Sequence, residues 1–262
     1  DNLEAWLAIQ KANFYSLRTT REDNAKAKDL AKKAIDLDPN YIDGYLALAD
    51  SLMAEARWGW SKSPRESMKQ AKELVSKALE IDETDWLVHN HIGNLYLIER
   101  NYDEALVAYK RAVELGPNVA VTNFRLARCL VFLGQPEEAL PFLNEAKRLN
   151  PHFPWVYYPI MARIYFHTGR YEEALAECEG MREICERGDC WMYFPHLYYT
   201  MVYEKSGQHE KAQYHMKKVL KENPRFNLES RRKASLFKNK EDTDREMDAL
   251  RKAGAPEQPP PK

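Results

Sequence analysis

The stretch NYDEALVAYKRAVELGPN, residues 101–118, describes one amphipathic helix with a defined end. Its small residues Ala105 and Ala112 stand seven positions apart, which places them on one face of a helix. Leucine would bury more apolar surface there, so alanine predicts a second helix that crosses very close to this one. Tyr109 fills the space between them, and Pro117 ends the helix because it lacks an amide hydrogen.

The same pattern recurs along the chain with a period of about 34 residues. Copies of the small-residue helix occur at 25–40, 68–83, 136–152, 171–184 and 209–225. Helical segments that precede these copies carry their own small residues, namely Ala49, Gly93, Ala127 and Ala162. Repeated helix pairs of this period predict a helical solenoid, in which each pair stacks on its neighbours.

Three glycines, Gly134, Gly169 and Gly207, fall between the two helices of their pairs. We expect each to form a tight turn with positive φ, a conformation that glycine adopts without steric cost. Acidic pairs such as Glu137 and Glu138 follow at helix starts, where the positive end of the helix dipole favours them. These carboxylates therefore need no catalytic interpretation.

These motifs resemble the tetratricopeptide repeat family. One repeat matches the family pattern through His89, Ile92, Gly93, Tyr96, Ala105, Tyr109, Ala112 and Pro117, and the next through Leu126, Ala127, Leu130, Gly134, Ala139, Leu143, Ala146 and Pro151. The resemblance implies an all-α fold, a right-handed superhelical α-solenoid of about six helix pairs plus a C-terminal capping helix. It implies a solenoid over 1–225 with repeats at 3–40, 41–83, 85–118, 119–152, 154–187 and 192–225, then a capping helical segment over 226–254 and a disordered tail over 255–262.

A narrower resemblance rests on three short segments. The insertion EARWGWSKSPRES (55–67), the ending MDALRKAGAPE (247–257) and the opening DNLEAWLAIQKANF are similar to the C-terminal repeat region of bacterial class III adenylate and guanylate cyclases and related signalling proteins. The sequence contains no cyclase domain. Its first residue is Asp1 rather than methionine, so we expect an excised fragment whose targeting signal or partner domain lies elsewhere.

Composition argues against two classes of partner. Thirty-nine basic residues oppose forty acidic ones, and the formal net charge of −1 favours neither nucleic acid nor an anionic membrane. No apolar run approaches the ~20 residues that span a bilayer. We therefore expect no nucleic-acid binding and no direct membrane insertion of this segment. The cytoplasm is the default location, and the periplasm is the alternative if the full-length protein has an upstream transmembrane helix.

Four cysteines leave two interpretations open. We expect Cys129, Cys178, Cys185 and Cys190 to be reduced and mostly buried thiols, as free cysteines usually are. A bridge between Cys185 and Cys190 or a metal site is the alternative. The cysteines lack the CxxC spacing and the adjacent HxxxH of zinc sites, so we predict no metal and no cofactor.

The first helix of each pair is expected to line a concave groove, which in the resembled family binds an extended peptide or a partner's helix. The residues predicted to face it are Asn90, Asn94, Phe124, Arg125, Arg128, Ile160, Arg163, Leu197 and Met201. Asn94, Arg128 and Arg163 hold the same position in three consecutive repeats, and their donors suit a carboxylate or an acidic peptide. The alternative is that these side chains are solvated or paired with nearby glutamates.

Aromatic residues are enriched in the second half of the chain. Trp155, Tyr157, Trp191 and Phe194 form a candidate apolar patch for a partner or for a homodimer. The alternative is that they fill a wider joint between the fifth and sixth repeats. A basic run, RRKASLFKNK (231–240), is followed at once by EDTDRE, so we expect local charge compensation there.

No sequence motif of an enzyme is present. The chain lacks a phosphate-binding glycine-rich loop, a GxSxG motif and an HExxH motif. We therefore predict a non-catalytic module that binds a peptide or partner protein in the groove, as part of a nucleotide-cyclase-type signalling protein. The alternatives are a stand-alone repeat scaffold or chaperone-like adaptor, and a small-molecule-sensing domain that uses the aromatic half of the chain.

Overall fold

The computed structural model describes residues 2–152, 154–188 and 190–259. In these ranges the secondary structure is helical, with fourteen α-helices, one short 3₁₀-helix and no β-strand. The all-α prediction is therefore confirmed. None of the helices in the described ranges is long and apolar enough to cross a bilayer.

The helices form two compact units. The first contains the residues up to Glu99 and Val107–Pro117, and the second contains Arg100–Leu106 and the residues from Asn118 onward. The first unit holds α1 (Leu3–Ser16), α2 (Arg21–Leu37), α3 (Ile42–Arg57), α4 (Pro64–Ile81) and α5 (Trp86–Ile98), and α6 (Tyr102–Leu115) contributes to both units. The second holds α7 (Ala120–Phe132), α8 (Pro136–Leu149), the 3₁₀-helix Trp155–Tyr157, α9 (Tyr158–His167), α10 (Tyr171–Glu186), α11 (Tyr193–Lys205), α12 (His209–Glu222), α13 (Leu228–Lys233) and α14 (Lys240–Lys252).

Within each unit, consecutive helices pack as the predicted pairs. Helix α1 packs on α2 and α3 on α4 in the first unit, and α7 on α8, α9 on α10 and α11 on α12 in the second. Small residues allow the close approach: a Cβ atom added at Gly93 would lie 2.9 Å from ring atoms of Tyr109. Ala112 is likewise fully buried. The ring of Tyr109 thus occupies the space that a larger residue at position 93 would need.

The turns inside the pairs follow the glycine pattern. Gly134, Gly169 and Gly207 have φ values of 82°, 74° and 79°, so the prediction of positive φ is confirmed. The preceding pair has Arg100 at the corresponding place, with φ of 65°. This arginine adopts a backbone conformation that residues other than glycine rarely take.

The expectation of reduced thiols is wrong for one pair of cysteines. Cys185 lies in the last turn of α10, Gly188 reverses the chain with φ of 90°, and Cys190 returns to a Cα–Cα distance of 4.4 Å, where the two residues form a disulfide bond. Sequence spacing alone could not reveal this turn. Cys129 and Cys178 are free and buried, and burial raises the pKa of Cys129 to about 12.

The chain ends in a folded segment, residues 226–257, which we call the C-terminal segment. It contains two helices, α13 and α14, where a capping helical segment is predicted over 226–254, and α14 packs on α11. The disordered tail predicted over 255–262 differs from the structure: the carbonyls of Pro256 and Glu257 accept hydrogen bonds from the first amides of α13, which lack partners within that helix. Residues 260–262 lie outside the described residues.

Candidate protein-interaction surface

Helices α7, α9 and α11 are the first helices of the three pairs in the second unit, and we call their shared side the inner face. The C-terminal segment lies along this face. Helix α14 packs on α11 and reaches α9 through Glu246, while Phe237 contacts α7 through Phe132. The inner face therefore already holds a bound polypeptide segment.

The strongest polar contact on the inner face joins Arg163 of α9 to Glu246 of α14. The Nε atom of Arg163 donates to Oε1 of Glu246 at 2.5 Å, and Nη2 donates to Oε2 at 3.2 Å. Both side chains are largely removed from water, with exposed fractions of 12% and 4%. This two-pronged geometry is the one that guanidinium and carboxylate groups favour.

Aromatic rings surround the Arg163 guanidinium. Its central carbon lies 5.4 Å from the ring centre of Phe132, 5.5 Å from that of Tyr198 and 5.6 Å from that of Phe237. Rings at this distance attract a cation through their electron-rich faces, and they also exclude water. Two of the rings belong to the repeats and one to the C-terminal segment.

Further donors converge on the Glu246 carboxylate. The Nε2 atom of His167 lies 3.3 Å from Oε1, and Nη2 of Arg231 lies 3.5 Å from Oε2. Arg245 of α14 donates to the backbone carbonyl of His167 at 3.1 Å. Glu246 is thus held by groups from α9 and α13, and Arg245 adds a separate hydrogen bond from α14 to α9.

The electrostatics favour the ionised form of Glu246. Burial by itself opposes its charge, but the positive charge of Arg163 and the hydrogen bonds from His167 and Arg163 outweigh burial and hold the pKa of Glu246 well below its ordinary value. Burial likewise opposes the charge of Arg163, while Glu246 raises the pKa of Arg163. The pair is therefore charged throughout the physiological pH range.

A second contact is made by the extended residues before α14. The ring of Phe237 lies 5.3 Å from that of Phe132 and 4.8 Å from that of His167, and the side chain is buried. The next amide, that of Lys238, donates to the carbonyl of Phe132 at 2.8 Å. An aromatic side chain and one backbone hydrogen bond thus fix this part of the segment to the end of α7.

A third contact involves Arg100, the residue with positive φ. Its Nη2 atom donates to the carbonyl of Lys233 at 3.2 Å and to that of Ser235 at 3.0 Å. These hydrogen bonds lie at the C-terminal end of α13. Lys238 of the segment pairs with Asp103 at 3.1 Å. Arg100 therefore combines a positive φ with contacts to the C-terminal segment, and the sequence analysis did not identify this residue.

The predicted groove residues of the second unit are mostly buried. Phe124, Ile160, Leu197 and Met201 are each at most 9% exposed, so they contribute to packing. Arg125 and Arg128 remain partly exposed on α7. The ring of Tyr157 lies 4.0 Å from that of Phe124, and burial raises the pKa of Tyr157 while the charges of Arg125 and Arg128 oppose the rise. Their role in binding a partner stays a prediction.

The predicted groove residues of the first unit, Asn90 and Asn94, lie among residues of that unit. Asn90 is fully buried, and both polar atoms of its amide lack a hydrogen-bond partner among the described residues. The Nδ2 atom of Asn94 lies 3.6 Å from the sulfur of Met53. Asn94, Arg128 and Arg163 hold the same repeat position, and Arg163 binds the carboxylate of Glu246 from the same chain. This contact is the pairing with a glutamate that the sequence analysis gave as the alternative.

The predicted aromatic patch is largely packed. The ring of Trp155 lies 5.1 Å from that of Phe194, and Trp155 is buried. Trp191 is 44% exposed, stacks on Tyr193 at 4.7 Å and donates from Nε1 to Glu222 at 3.0 Å. These contacts favour the alternative that the rings fill the joint before α11, and a role in self-association stays a prediction.

Sequence reasoning missed the residues that bind the C-terminal segment. It placed Arg163 on the groove but did not identify Glu246, Phe237 or His167 as its neighbours. The available signal was the charge pattern near 231–246, where Arg232 pairs with Asp244 at 3.3 Å and Arg231 with Glu246. That pattern predicted local compensation but not the additional pairing with α9.

A pair of histidines between α11 and α12 was also missed. The Nδ1 atoms of His196 and His215 lie 2.9 Å apart, so one ring donates and the other accepts. The His215 ring stacks on Tyr199 at 4.6 Å and on Tyr203 at 5.5 Å. Burial, followed by the charges of His196 and Lys218, lowers the pKa of His215 from 6.5 to about 4.

Known proteins resemble this chain in sequence. A protein-family model described as "Tetratricopeptide repeat" matches residues 96–154 and 133–184. The transcriptional regulator HilA of Salmonella typhimurium is 29% identical over 144 residues, which is 55% of this chain and 26% of HilA. A TPR repeat-containing protein of Treponema pallidum is 23% identical over 205 residues, 71% of this chain and 24% of that protein. The chain spans about a quarter of the length of these relatives.

Solved structures share the fold. The Cut9–Hcn1 structure of the APC/C contains a chain that is 14% identical with a TM-score of 0.65, covering 95% of this chain and 45% of that one. PilF of Pseudomonas aeruginosa is 20% identical with a TM-score of 0.54, covering 84% and 92%. No nucleotide cyclase is among the proteins named here. The matching repeats and the shared fold together support the tetratricopeptide repeat family for this α-solenoid chain.

Proposed function

We propose that this chain is a non-catalytic protein-interaction module that binds a peptide or helical segment of a partner protein on the inner face of its repeats. The observation that carries the proposal is the docking of the C-terminal segment along α7, α9 and α11. A surface that accommodates one extended and helical segment has the shape and the chemistry to accommodate another. Tetratricopeptide repeats as a class mediate protein–protein interaction, which agrees with this role.

The chemistry of the inner face favours an acidic partner. Arg163 offers a carboxylate site enclosed by rings, and Arg125 and Arg128 extend positive charge along α7. Arginine in such a setting selects carboxylates because its planar fork makes two parallel hydrogen bonds. The partner's binding segment should therefore carry glutamate or aspartate.

The larger context is a signalling protein. The short segments similar to cyclase-associated repeat regions favour a nucleotide-cyclase-type protein, while the partial similarity to HilA favours a transcriptional regulator. A stand-alone scaffold or chaperone-like adaptor fits the fold equally well. A small-molecule sensor is less favoured, because the aromatic rings that it would use pack on one another. The complete coding sequence of the gene, examined for a cyclase or DNA-binding domain, distinguishes these contexts.

The compartment can be tested through the disulfide. A cytoplasmic location was the default while all thiols were expected to be reduced, but Cys185 and Cys190 form a bridge, and bridges persist mainly in oxidising compartments. Alkylation of the protein in intact cells, followed by mass spectrometry, measures the state of these two residues. Alkylated Cys185 and Cys190 support the cytoplasm, and an intact bridge supports the periplasm.

Site-specific photo-crosslinking tests the proposed function. A photoreactive amino acid is placed at Arg125 on the inner face or at Lys217, an exposed residue of α12 on the other side of its pair. We expect partner cross-links from position 125 in the native organism and none from position 217. Cross-links from position 217 alone would place the partner on the outer helices and contradict the proposal.

A further inference from the structure

The C-terminal segment contacts the inner face as a ligand contacts a groove. Three separate anchors hold it: the hydrogen bonds of Arg100 to the end of α13, the edge-to-face contact of Phe237 with Phe132, and the buried carboxylate of Glu246. Each anchor joins one residue of the segment to a residue of the repeats that is more than 70 positions away along the chain. The segment is therefore recognised at defined points.

The central anchor gives specificity more than net stability. Removing two charges from water is costly, and their mutual attraction repays that cost only when the geometry is good. Arg163 without a carboxylate would leave a buried cation unpaired unless water entered the site. The site consequently demands a carboxylate, and one carboxylate can replace another without changing the charge balance.

The connection between the repeats and the segment is short. Helix α12 ends at Glu222 and α13 begins at Leu228, so the segment stays close to its site at all times. Tethered groups of this kind reach effective concentrations in the millimolar range or above. A partner present at cellular concentration therefore competes against an occupant that is always nearby.

Other contacts limit how freely the segment leaves. Leu228, Met247 and Leu250 of the segment are buried, and α14 packs on α11. Apolar burial of this kind would also be expected of a permanent cap on the last pair. The difference between a cap and a ligand is whether the segment opens while the repeats stay folded.

From these contacts we infer that the C-terminal segment is an exchangeable occupant of the inner face, and that a partner binds there by replacing it with an acidic helix preceded by an aromatic residue. The partner's carboxylate takes the place of Glu246, and its aromatic side chain takes the place of Phe237. This inference rests on the proposed function, because it names the partner class for the same surface. It also explains why Arg163 is occupied within the chain itself.

Native-state hydrogen exchange on the whole chain tests whether the segment opens. We expect the amides of α14 to exchange through an opening that leaves α9 and α11 protected. In Glu246→Gln, α14 should exchange at least about tenfold faster while α9 and α11 are unchanged. Glu241→Gln is the matched control, because it removes the same charge from an exposed position of the same helix.

A peptide of residues 226–257 with a fluorescent label tests the replacement. It should bind the Glu246→Gln chain at least about tenfold more tightly than the wild-type or Glu241→Gln chains, whose sites are occupied. The same peptide with glutamine at position 246 should lose this gain.

Two results would overturn the inference. One is that the amides of wild-type α14 exchange only by global unfolding, together with those of α9 and α11. Because this measurement uses the wild-type chain, it tests the inference even if Glu246→Gln fails to fold. The other is equal affinity of the peptide for all three chains. Neither result depends on a cellular partner, so both are distinguishable from a failed cross-linking experiment, which would contradict the proposed function alone.

Discussion

The inner helices of the two units carry a polar residue at the same repeat position but differ in which residue it is and what it contacts. In the second unit, Arg163 is buried in an ion pair with Glu246 of the C-terminal segment. In the first unit, Asn94 holds the equivalent repeat position and lies against the sulfur of Met53, while His91 contacts Asp50 at 3.1 Å. The repeat position is therefore adapted to its neighbours, and in the second unit Arg163 at this position holds a distant segment.

The comparison shows how a repeat fold acquires specificity. Small residues fix the crossing of the helices and are similar in both units, so they specify the architecture. The residue directly after the small residue of the inner helix varies between repeats: it is Asn94 after Gly93 and Arg163 after Ala162. An arginine there creates a demand for a carboxylate, whereas an asparagine can be satisfied by neutral neighbours.

The largest expected effect comes from breaking the ion pair. Glu246→Ala leaves the buried Arg163 without a counter-charge, and we expect the docking of α14 to weaken by ~3–5 kcal/mol. Urea denaturation monitored by hydrogen exchange of α14 measures the loss. Asn94→Ala, the corresponding change in the first unit, should cost less, ~1 kcal/mol, because it removes a neutral side chain rather than one half of a buried ion pair.

A double variant sharpens this result. Arg163→Met combined with Glu246→Leu replaces the pair with apolar side chains of similar size, and we expect stability within ~2 kcal/mol of the wild type. If the double variant lost as much unfolding free energy as the two single variants together, the two side chains would not be coupled, and the ion pair would not be the contact that joins α9 to α14.

A smaller effect is expected at the helix crossings. Gly93→Ala in the first unit brings a Cβ to 2.9 Å from the Tyr109 ring, which must shift, and we expect a loss of ~1–3 kcal/mol in unfolding free energy. The second unit has Ala127 at the equivalent position, and Ala127→Gly should cost ~1 kcal/mol because glycine lowers helix propensity. Thermal unfolding measures both.

A partner substitution checks the cause of the Gly93 effect. Tyr109→Leu shortens the facing side chain, so it should reduce the additional loss that Gly93→Ala produces. An unchanged loss in the Tyr109→Leu background would show that the crowding lies elsewhere on α5.

The sequence allowed the helix pairs to be predicted because their determinants are local. Ala105, Tyr109 and Ala112 repeat with helical spacing, and Gly134 marks a turn by its backbone freedom alone. The position of Arg163 on an inner helix followed from the same repeat spacing. Its burial did not, because the covering residue lies 83 positions later in the chain.

Non-local contacts explain the remaining differences. The acidic run before residue 246 is equally able to pair with the neighbouring basic run, so composition could not identify which carboxylate reaches α9. The Cys185–Cys190 bridge likewise depends on the turn at Gly188. In both cases the course of the backbone determines which charged group or thiol lies close enough to interact, and the residue types alone do not specify that course.

A pH dependence separates two sites within the second unit. His215 has its pKa lowered to about 4 in the folded chain against 6.5 when unperturbed, so between these values the unfolded state binds a proton that the folded state does not. Stability should therefore fall by ~1–3 kcal/mol as the pH drops from about 6.5 to about 4. Glu246, whose pKa is lowered from 4.5, contributes stability that is lost only at more acidic pH.

Two variants assign these pH ranges to their residues. His215→Phe keeps a ring against Tyr199 and Tyr203 but cannot titrate at this position, so its stability should fall less between pH 6.5 and 4 than that of the wild type, measured by urea denaturation at each pH. The fall that remains belongs to His196, whose pKa is also lowered by burial. Glu246→Gln should keep the fall in that range and lose only the more acidic one. If His215→Phe retained the full fall above pH 4, the titrating group would be another residue, and the neutral His196–His215 hydrogen bond would not be the acid-sensitive contact between α11 and α12.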